Sequence, residues 1–509
     1  MLAKVFSSAI VGLDAVLVEV EVDIANQGLP SFTIVGLPDK AVDEARERVR
    51  SAIKNSGADF PAKRITVNLA PADLPKEGPS YDLPIAIGLL IASGQIKSTI
   101  KTMLILGELS LDGSVRHVNG MLSHAILAQK NNIKNVFIPS MNAKEAAIVS
   151  DIFVYPVSSL LSFFHHLNNT IPIIPLRPTK ISDYYSDISF DFDMKDIRGQ
   201  EKAKRAIEIA AAGAHNILLK GPPGAGKTLL ARTLPSILPQ LTMQETMETT
   251  KIYSISGLLG NDTLITNRPF RSPHHTTSHV GLIGGSSVPR PGEISLAHRG
   301  VLFMDEFPEF QRSVLEALRQ PLEDGFVTIS RALGRVTFPS KFMLVAAQNP
   351  CPCGYYGDST KECRCTASQI ARYQKKISGP LLDRIDIHLE VPAVKVNKLH
   401  SEGDDTGEES EKIRQRIQKA RNKQTDRFKG TSIATNSEMS NKHIKIFCAL
   451  QKNANMILSG AISKFQLSAR SYHRILKLAR TIADLDNKET IEAQHIAEAL
   501  QYRPKNIQL

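Results

Sequence analysis

The sequence predicts an α/β protein: a mixed strand–helix domain, then a parallel-sheet core carrying a nucleotide loop, then a helical C-terminal part. Three observations predict this. Val16, Val18, Val20 and Val22 alternate with Leu17, Glu19, Glu21 and Asp23, the period of two that marks a half-buried strand. From Ile197 onward, short apolar runs at 217–219, 301–304, 343–347 and 385–391 are separated by helical stretches, as in a sheet covered on both faces. From Met439 to Arg503 the apolar spacing is helical.

Taken in order, Ile65–Leu69 reads as a second strand, Leu83–Ala92 as an apolar helix and Val136–Pro139 as the close of a further strand. These make a first domain over 1–170. A connector over 171–196 is stiffened by Pro172, Pro175 and Pro178 and made acidic by Asp183, Asp187, Asp191, Asp193 and Asp196. The core spans 197–395. A hydrophilic break at 401–410 leads into a charged helix at Glu411–Phe428, inside a C-terminal part over 396–509.

The 509 residues carry 62 Lys and Arg against 51 Asp and Glu, a net charge of +11 that permits a polyanionic partner without demanding one. More than half of the surplus falls after Asn441. Asp14, Glu19, Glu21 and Asp23 interrupt any export signal near the start, and no apolar run approaches the roughly 18 residues of a membrane span. Five cysteines are too few for a disulfide scaffold in a chain of this length, so a reducing, cytoplasmic setting is expected, with no membrane partner.

Gly221, Pro222, Pro223, Gly224, Ala225, Gly226, Lys227 and Thr228 form a P-loop pattern between the apolar run at Ile217 and a helical stretch at Leu229. The glycines let backbone N–H groups turn toward phosphate oxygens at the positive end of a helix. Lys227 would then neutralise charge on the outer phosphates, and the Thr228 hydroxyl would ligate Mg²⁺. This is a site for a nucleoside triphosphate. The run Val301–Met304 ends in Asp305, placed to hold Mg²⁺, and Glu306, placed to polarise an attacking water. Asn349 follows a further apolar run, where an amide would orient that water or simply form a turn before Pro350. Arg384 suits a finger that stabilises transition-state charge on a neighbouring subunit's nucleotide; a salt bridge to Asp383 or Asp386 is the alternative.

These residues in this order resemble the AAA+ ATPases, and within them the magnesium-chelatase-like branch and the ComM (YifB) family. The resemblance rests on Asn267–His279, Pro289–Glu306, Gln348–Gly354 and Leu467–Arg480, and it covers essentially the whole chain. It implies an AAA+ core with ATP and Mg²⁺, a helical lid in which Arg470 reaches the γ-phosphate, and an N-terminal domain like that of Lon proteases. Lys76–Ser80 keeps the Gly-Pro-Ser of the Lon nucleophile, yet Leu122 and His124 stand where the Lon pattern has lysines, so no Ser–Lys protease is expected. The resemblance further implies a homo-hexameric ring that drives branch migration on single-stranded and branched DNA during natural transformation. A chelatase-like motor subunit and a protein-remodelling ATPase are the rivals.

Phe326–Phe338 reads as a β-hairpin with Arg331 and Arg335 near its tip. In the related clade such a hairpin points into the ring's pore, where the two arginines would grip DNA phosphates. The stretch Arg271–Arg290, with His274, His275, His279 and several glycines, suits a mobile pore loop. Cys351, Cys353, Cys363 and Cys365 cluster in one loop; in a reducing compartment four such thiols suit tetrahedral Zn²⁺, though the pairs are spaced more closely than is usual. Cys448 reads as a packing residue.

Overall fold

The computed structural model describes residues 2–97, 103–179, 190–260, 262–285, 289–331, 334–358, 361–393 and 407–504, with Arg331 and Gly334 described by backbone alone. Asp183, Asp187 and most of the hydrophilic break lie outside the described residues. The chain divides into two compact units. The first comprises Met1–Ser186, Met243–Ile265 and Ser330–Val336; the second comprises Asp187–Thr242, Thr266–Ile329 and Thr337–Leu509. Among the described residues no helix is long and apolar enough to cross a membrane.

The first unit is built on a seven-stranded mixed sheet in the order Ser31–Val35, Arg64–Ala70, Asp14–Ala25, Leu2–Val11, Met103–Ile105, Asn135–Pro139, Phe153–Val157. Asp14–Ala25 is the strand that the alternating valines predict, and it pairs antiparallel with Leu2–Val11; Val18, Val20 and Val22 are fully buried, while Val16, near the turn, is exposed. The helix Asp82–Ala92 is buried on almost every side because it lies directly on this sheet. Gly88 makes that approach possible, since a β-carbon there would stand 2.6 Å from Val22 Cγ2.

The helix Met243–Ile255 packs in this same unit, although the strands before and after it belong to the other. The carbonyl of Ser254 accepts from the Gly120 N–H at 3.2 Å, its hydroxyl bonds Glu145, and Lys251 pairs with Asp14 at 2.9 Å. Polar anchors of this kind, distant in sequence, leave no trace in local periodicity. The Ser–His contact of the unit is also structural. His124 is 2 % exposed and its Nδ1 lies 2.7 Å from Ser8 Oγ, while burial drives its pKa down to about 3. The Lys76 ammonium is bonded to the Pro71 carbonyl.

The second unit holds a five-stranded parallel sheet in the order Phe270–Arg271, Val301–Met304, Met343–Gln348, Ile217–Lys220, Ile387–Glu390. The first, third and last of the expected core strands end within a residue or two of their predicted limits. Ile387–Glu390 begins two residues late because the N–H groups of Asp386 and Ile387 both bond the Asn216 carbonyl, which closes a turn. The expected charged helix runs Ser410–Arg427, and four more helices follow at Asn441–Phe447, Lys452–Phe465, Ala469–Leu485 and Ala493–Gln501.

These helices share one core with the sheet: Ile217, Leu219 and Val345 pack in the same cluster as Ile413, Ile417, Ala479, Ile482 and Cys448. Asp484, buried in their midst, is satisfied by Arg427 on both oxygens, by Arg480 and by Asn436, so its charge is paired rather than stranded.

The described part of Arg271–Arg290, expected as a glycine-rich loop, carries two short elements. His279–Ile283 is a short helix capped by Ser278, and Gly284–Gly285 pairs antiparallel with Arg290–Pro291. Gly284 is there for close approach: its φ is +101°, and a β-carbon would stand 2.3 Å from the Arg290 carbonyl oxygen. Ser286 and Ser287 lie outside the described residues.

Candidate functional site

The nucleotide loop leaves the C-terminal end of Ile217–Lys220, a strand flanked on both sides by parallel neighbours in register. Lys220 stands beside Gln348 on one side and Glu390 on the other, so Gly221 and Asn349 emerge together at the same end of the sheet. Gly226 has φ +83° and opens the helix Lys227–Arg232, a turn that a side chain would resist. The Lys227 ammonium, 8 % exposed, donates to the carbonyls of Gly221 and Pro222 at 2.8 Å each and to Asn349 Oδ1 at 3.2 Å. Burial holds its pKa below the usual lysine range, against the opposing pull of Asp305.

Thr228 Oγ1 donates to Asp305 Oδ2 at 2.7 Å, so the hydroxyl and the carboxylate expected to share a divalent cation already meet. Glu306 occupies a left-handed backbone conformation, φ +50°, stabilised by its own N–H donating to Asp305 Oδ1 at 2.9 Å. That twist takes its carboxylate off the strand direction. The side chain is 56 % exposed and meets His275 Nδ1 at 3.2 Å. A non-glycine residue held at positive φ next to an acidic strand end is the kind of strain that functional sites keep. The loop, the Thr228–Asp305 pair and the buried lysine therefore fit a triphosphate with Mg²⁺.

Arg384 lies at the opposite end of the sheet. It precedes Ile387, which pairs with Ile217 at the start of the P-loop strand, so the length of a four-residue strand, roughly 13 Å, separates that level from the loop. Its guanidinium bonds the Pro380 carbonyl at 2.6 Å and the Glu323 carboxylate, while its buried Nε has no partner among the described residues. Burial, then repulsion from Arg470 and Arg319, lowers its pKa. Arg470 reaches the other oxygen of Glu323 at 3.3 Å. The salt bridges considered from sequence are not made by Arg384: Asp386 instead faces His215 at 3.2 Å and Arg474 at 3.9 Å.

Glu323 was not legible as a site residue. In the sequence it is one acid before a turn, and only the fold brings two arginines to it. The same holds for His275 beside Glu306. At the hairpin, Phe326–Arg331 pairs with Gly334–Pro339 as expected. Arg335 is exposed, Val336 lies against Gly12, and the side chain of Arg331 lies outside the described residues.

The four clustered cysteines do converge. Sulfur separations are 3.4 Å for Cys351–Cys353, 3.7 Å for Cys351–Cys363 and 3.6 Å for Cys353–Cys363, and all four sulfurs lie within 4.8 Å of one another. The Tyr355 N–H and neighbouring thiols favour one thiolate, lowering Cys353 to about 6. Among the described residues this is the one group of three or more His, Cys, Asp or Glu side chains gathered closely enough for a metal; the three histidines of 274–279 do not form another.

A parallel five-stranded sheet with a phosphate loop on its second strand from one edge, an acidic pair on the fourth, a polar residue ending the strand between them and an attached helical bundle defines a P-loop ATPase fold of the AAA+ class. Comparisons narrow the class. Residues 193–399 match the family described as magnesium chelatase, subunit ChlI; residues 20–142 match subunit ChlI of Mg-chelatase, and residues 407–503 its C-terminal part. The chain is 46% identical to competence protein ComM of Haemophilus influenzae, over 99% of this chain and 97% of that protein. It is 43% identical to the uncharacterised protein YifB of Escherichia coli, again over 99% and 97% of the two chains. Lon protease 2 of Bacillus subtilis is 29% identical over 31% of this chain and 30% of its own length. The chain belongs to the ComM (YifB) family of magnesium-chelatase-like AAA+ proteins.

Proposed function

We propose that this protein is an ATP-driven DNA translocase that works as a homo-hexameric ring and promotes branch migration of incoming DNA in natural transformation. The observation that supports the motor reading is the placement of these residues at two ends of the sheet. Lys227, Thr228, Asp305 and Asn349 gather at one end with Glu306 beside Asp305, and Arg384 lies at the other, where in this reading it serves a neighbour's nucleotide. In this reading Lys227 exchanges its carbonyl partners for phosphate oxygens, and Thr228 and Asp305 hold Mg²⁺, which supplies charge neutralisation on the phosphates. Glu306 accepts a proton from water that Asn349 orients, and Arg384 with Arg470 stabilises charge across the subunit boundary.

The DNA part rests on the name of the Haemophilus relative, on the exposed Arg335 of the hairpin and on the basic C-terminal part. The cysteine quartet is read as a Zn²⁺ site. The family descriptions favour a second reading, a motor subunit for metal chelation. ATP-dependent strand displacement on branched against linear DNA, with Lys227→Ala as control, tests the proposal. ATPase turnover raised by a chelatase partner or by unfolded protein, and not by DNA, would replace it.

A further inference from the structure

The cysteine loop is attached to the nucleotide site at two points. Cys351 stands two residues after Asn349, whose side chain accepts from the Lys227 ammonium at 3.2 Å. Gly354, the neighbour of Cys353, abuts the P-loop itself: a β-carbon there would stand 2.5 Å from Pro223 Cδ and 2.6 Å from Cγ. Its φ of +85° lets the chain turn back under the phosphate loop, and its N–H closes that turn on the Cys351 carbonyl at 3.0 Å. The Cys351 carbonyl, thiol and backbone are thus part of one tight knot, with the Tyr356 N–H donating to its sulfur at 3.3 Å.

We infer that Cys351, Cys353, Cys363 and Cys365 bind one Zn²⁺ and that this centre braces the P-loop, making nucleotide affinity depend on zinc. The coupling half of this inference rests on the ATP-site reading above. The sulfur geometry fits the ion: a zinc–sulfur distance of about 2.3 Å in a tetrahedron sets sulfurs about 3.8 Å apart, near the separations already present. The loop has little else to hold it. Of its members only Cys351 is fully buried, Cys353, Cys363 and Cys365 are partly exposed, and a loop of this size owns no apolar core. Without a cation only thiol contacts tie the four sulfurs together, the loop relaxes, and both the Gly354–Pro223 wall and the position of Asn349 are released. An ion bound to ligands that adjoin the phosphate cradle therefore acts on the cradle through contact, as a positioning element and not as a participant in hydrolysis.

The test uses the full-length protein. Elemental analysis of protein purified without chelator should give about one zinc per chain, as four thiolates require. Zinc is then withdrawn with a chelator that spares Mg²⁺, and affinity for a fluorescent, non-hydrolysable ATP analogue is measured before withdrawal, after it and after Zn²⁺ is restored. Affinity should fall by on the order of tenfold or more and return with the ion, since displacements near 1 Å in a positioned site have effects of at least that size. Gly354→Ala should keep its zinc yet lose nucleotide affinity, because the added carbon enters Pro223. That variant separates bracing from loss of the fold, which a Cys363→Ser variant followed by circular dichroism does less cleanly. Absence of zinc, or iron in its place, overturns the metal assignment. Unchanged affinity after complete zinc removal overturns the coupling alone, whereas zinc-loaded parent that binds no nucleotide overturns the ATP-site reading with it.

Discussion

Arg384 and Arg470, one before the last strand of the sheet and one on the helix Ala469–Leu485, close on the same carboxylate, that of Glu323. Two cations sharing one acid leave a net positive charge on that face. The buried Nε of Arg384 has no partner among the described residues. A phosphate presented by another subunit would satisfy both guanidiniums better than one carboxylate does.

If that is their role, Arg384→Ala and Lys227→Ala chains should each be nearly inactive alone and recover ATPase activity when mixed. Interfaces that join an intact loop to an intact arginine are the source of the recovery. Turnover measured against mixing ratio, with co-assembly followed by light scattering, decides it. No recovery in mixed assemblies argues that Arg384 acts within its own chain.

Lys227→Ala should lose nucleotide binding, since the buried ammonium is the cation that the loop carbonyls hold in place. Glu306→Gln should bind ATP and hydrolyse it slower by on the order of a hundredfold or more, the usual contribution of a general base. Binding titrations and single-turnover hydrolysis separate the two. Near-normal turnover in Glu306→Gln removes Glu306 from the chemistry.

If the protein grips DNA as proposed, its affinity for DNA should fall steeply with salt, because each neutralised phosphate releases condensed counterions. Arg335→Ala, or Arg331→Ala, should weaken binding to all sequences alike and reduce the salt slope by about one unit per lost contact. ATPase activity without DNA should survive, since the hairpin is not part of the phosphate cradle. A double variant with parental salt slope and strand displacement would shift attention to the basic C-terminal helices.

His124 sets an acid limit on the first unit. Its pKa is about 3 in the fold against an ordinary 6.5, so between those values the unfolded chain takes up a proton that the fold refuses. The stability it contributes is complete above about pH 6.5 and is lost progressively as pH falls toward 3. His124→Gln should flatten that loss, read by calorimetry at about pH 7 and about pH 5. An unchanged pH dependence would mean that other groups govern it.

The nucleotide loop, the acidic strand end, the hairpin and the cysteine quartet were all legible in the sequence. Each is a local pattern whose chemistry depends on residue types at fixed spacing: glycines where φ is positive, carboxylates after an apolar strand, thiols in one loop. The alternation of Val18, Val20 and Val22 declared its buried face for the same reason. A local pattern leaves some roles open: Gly284 serves a close backbone approach, which sequence alone does not distinguish from mobility.

By itself, then, the sequence determined the family, the main core strands and the residues that stand at the end of each. Tertiary structure alone decided which of them meet. Glu323 joined to Arg384 and Arg470, His275 set against Glu306, Gly354 seated on Pro223 and the helix Met243–Ile255 held by Glu145 and Gly120 are contacts between segments far apart in the chain. Such contacts are fixed by packing and by the need to pair buried or crowded charge, and neither has a period that one strand or helix displays.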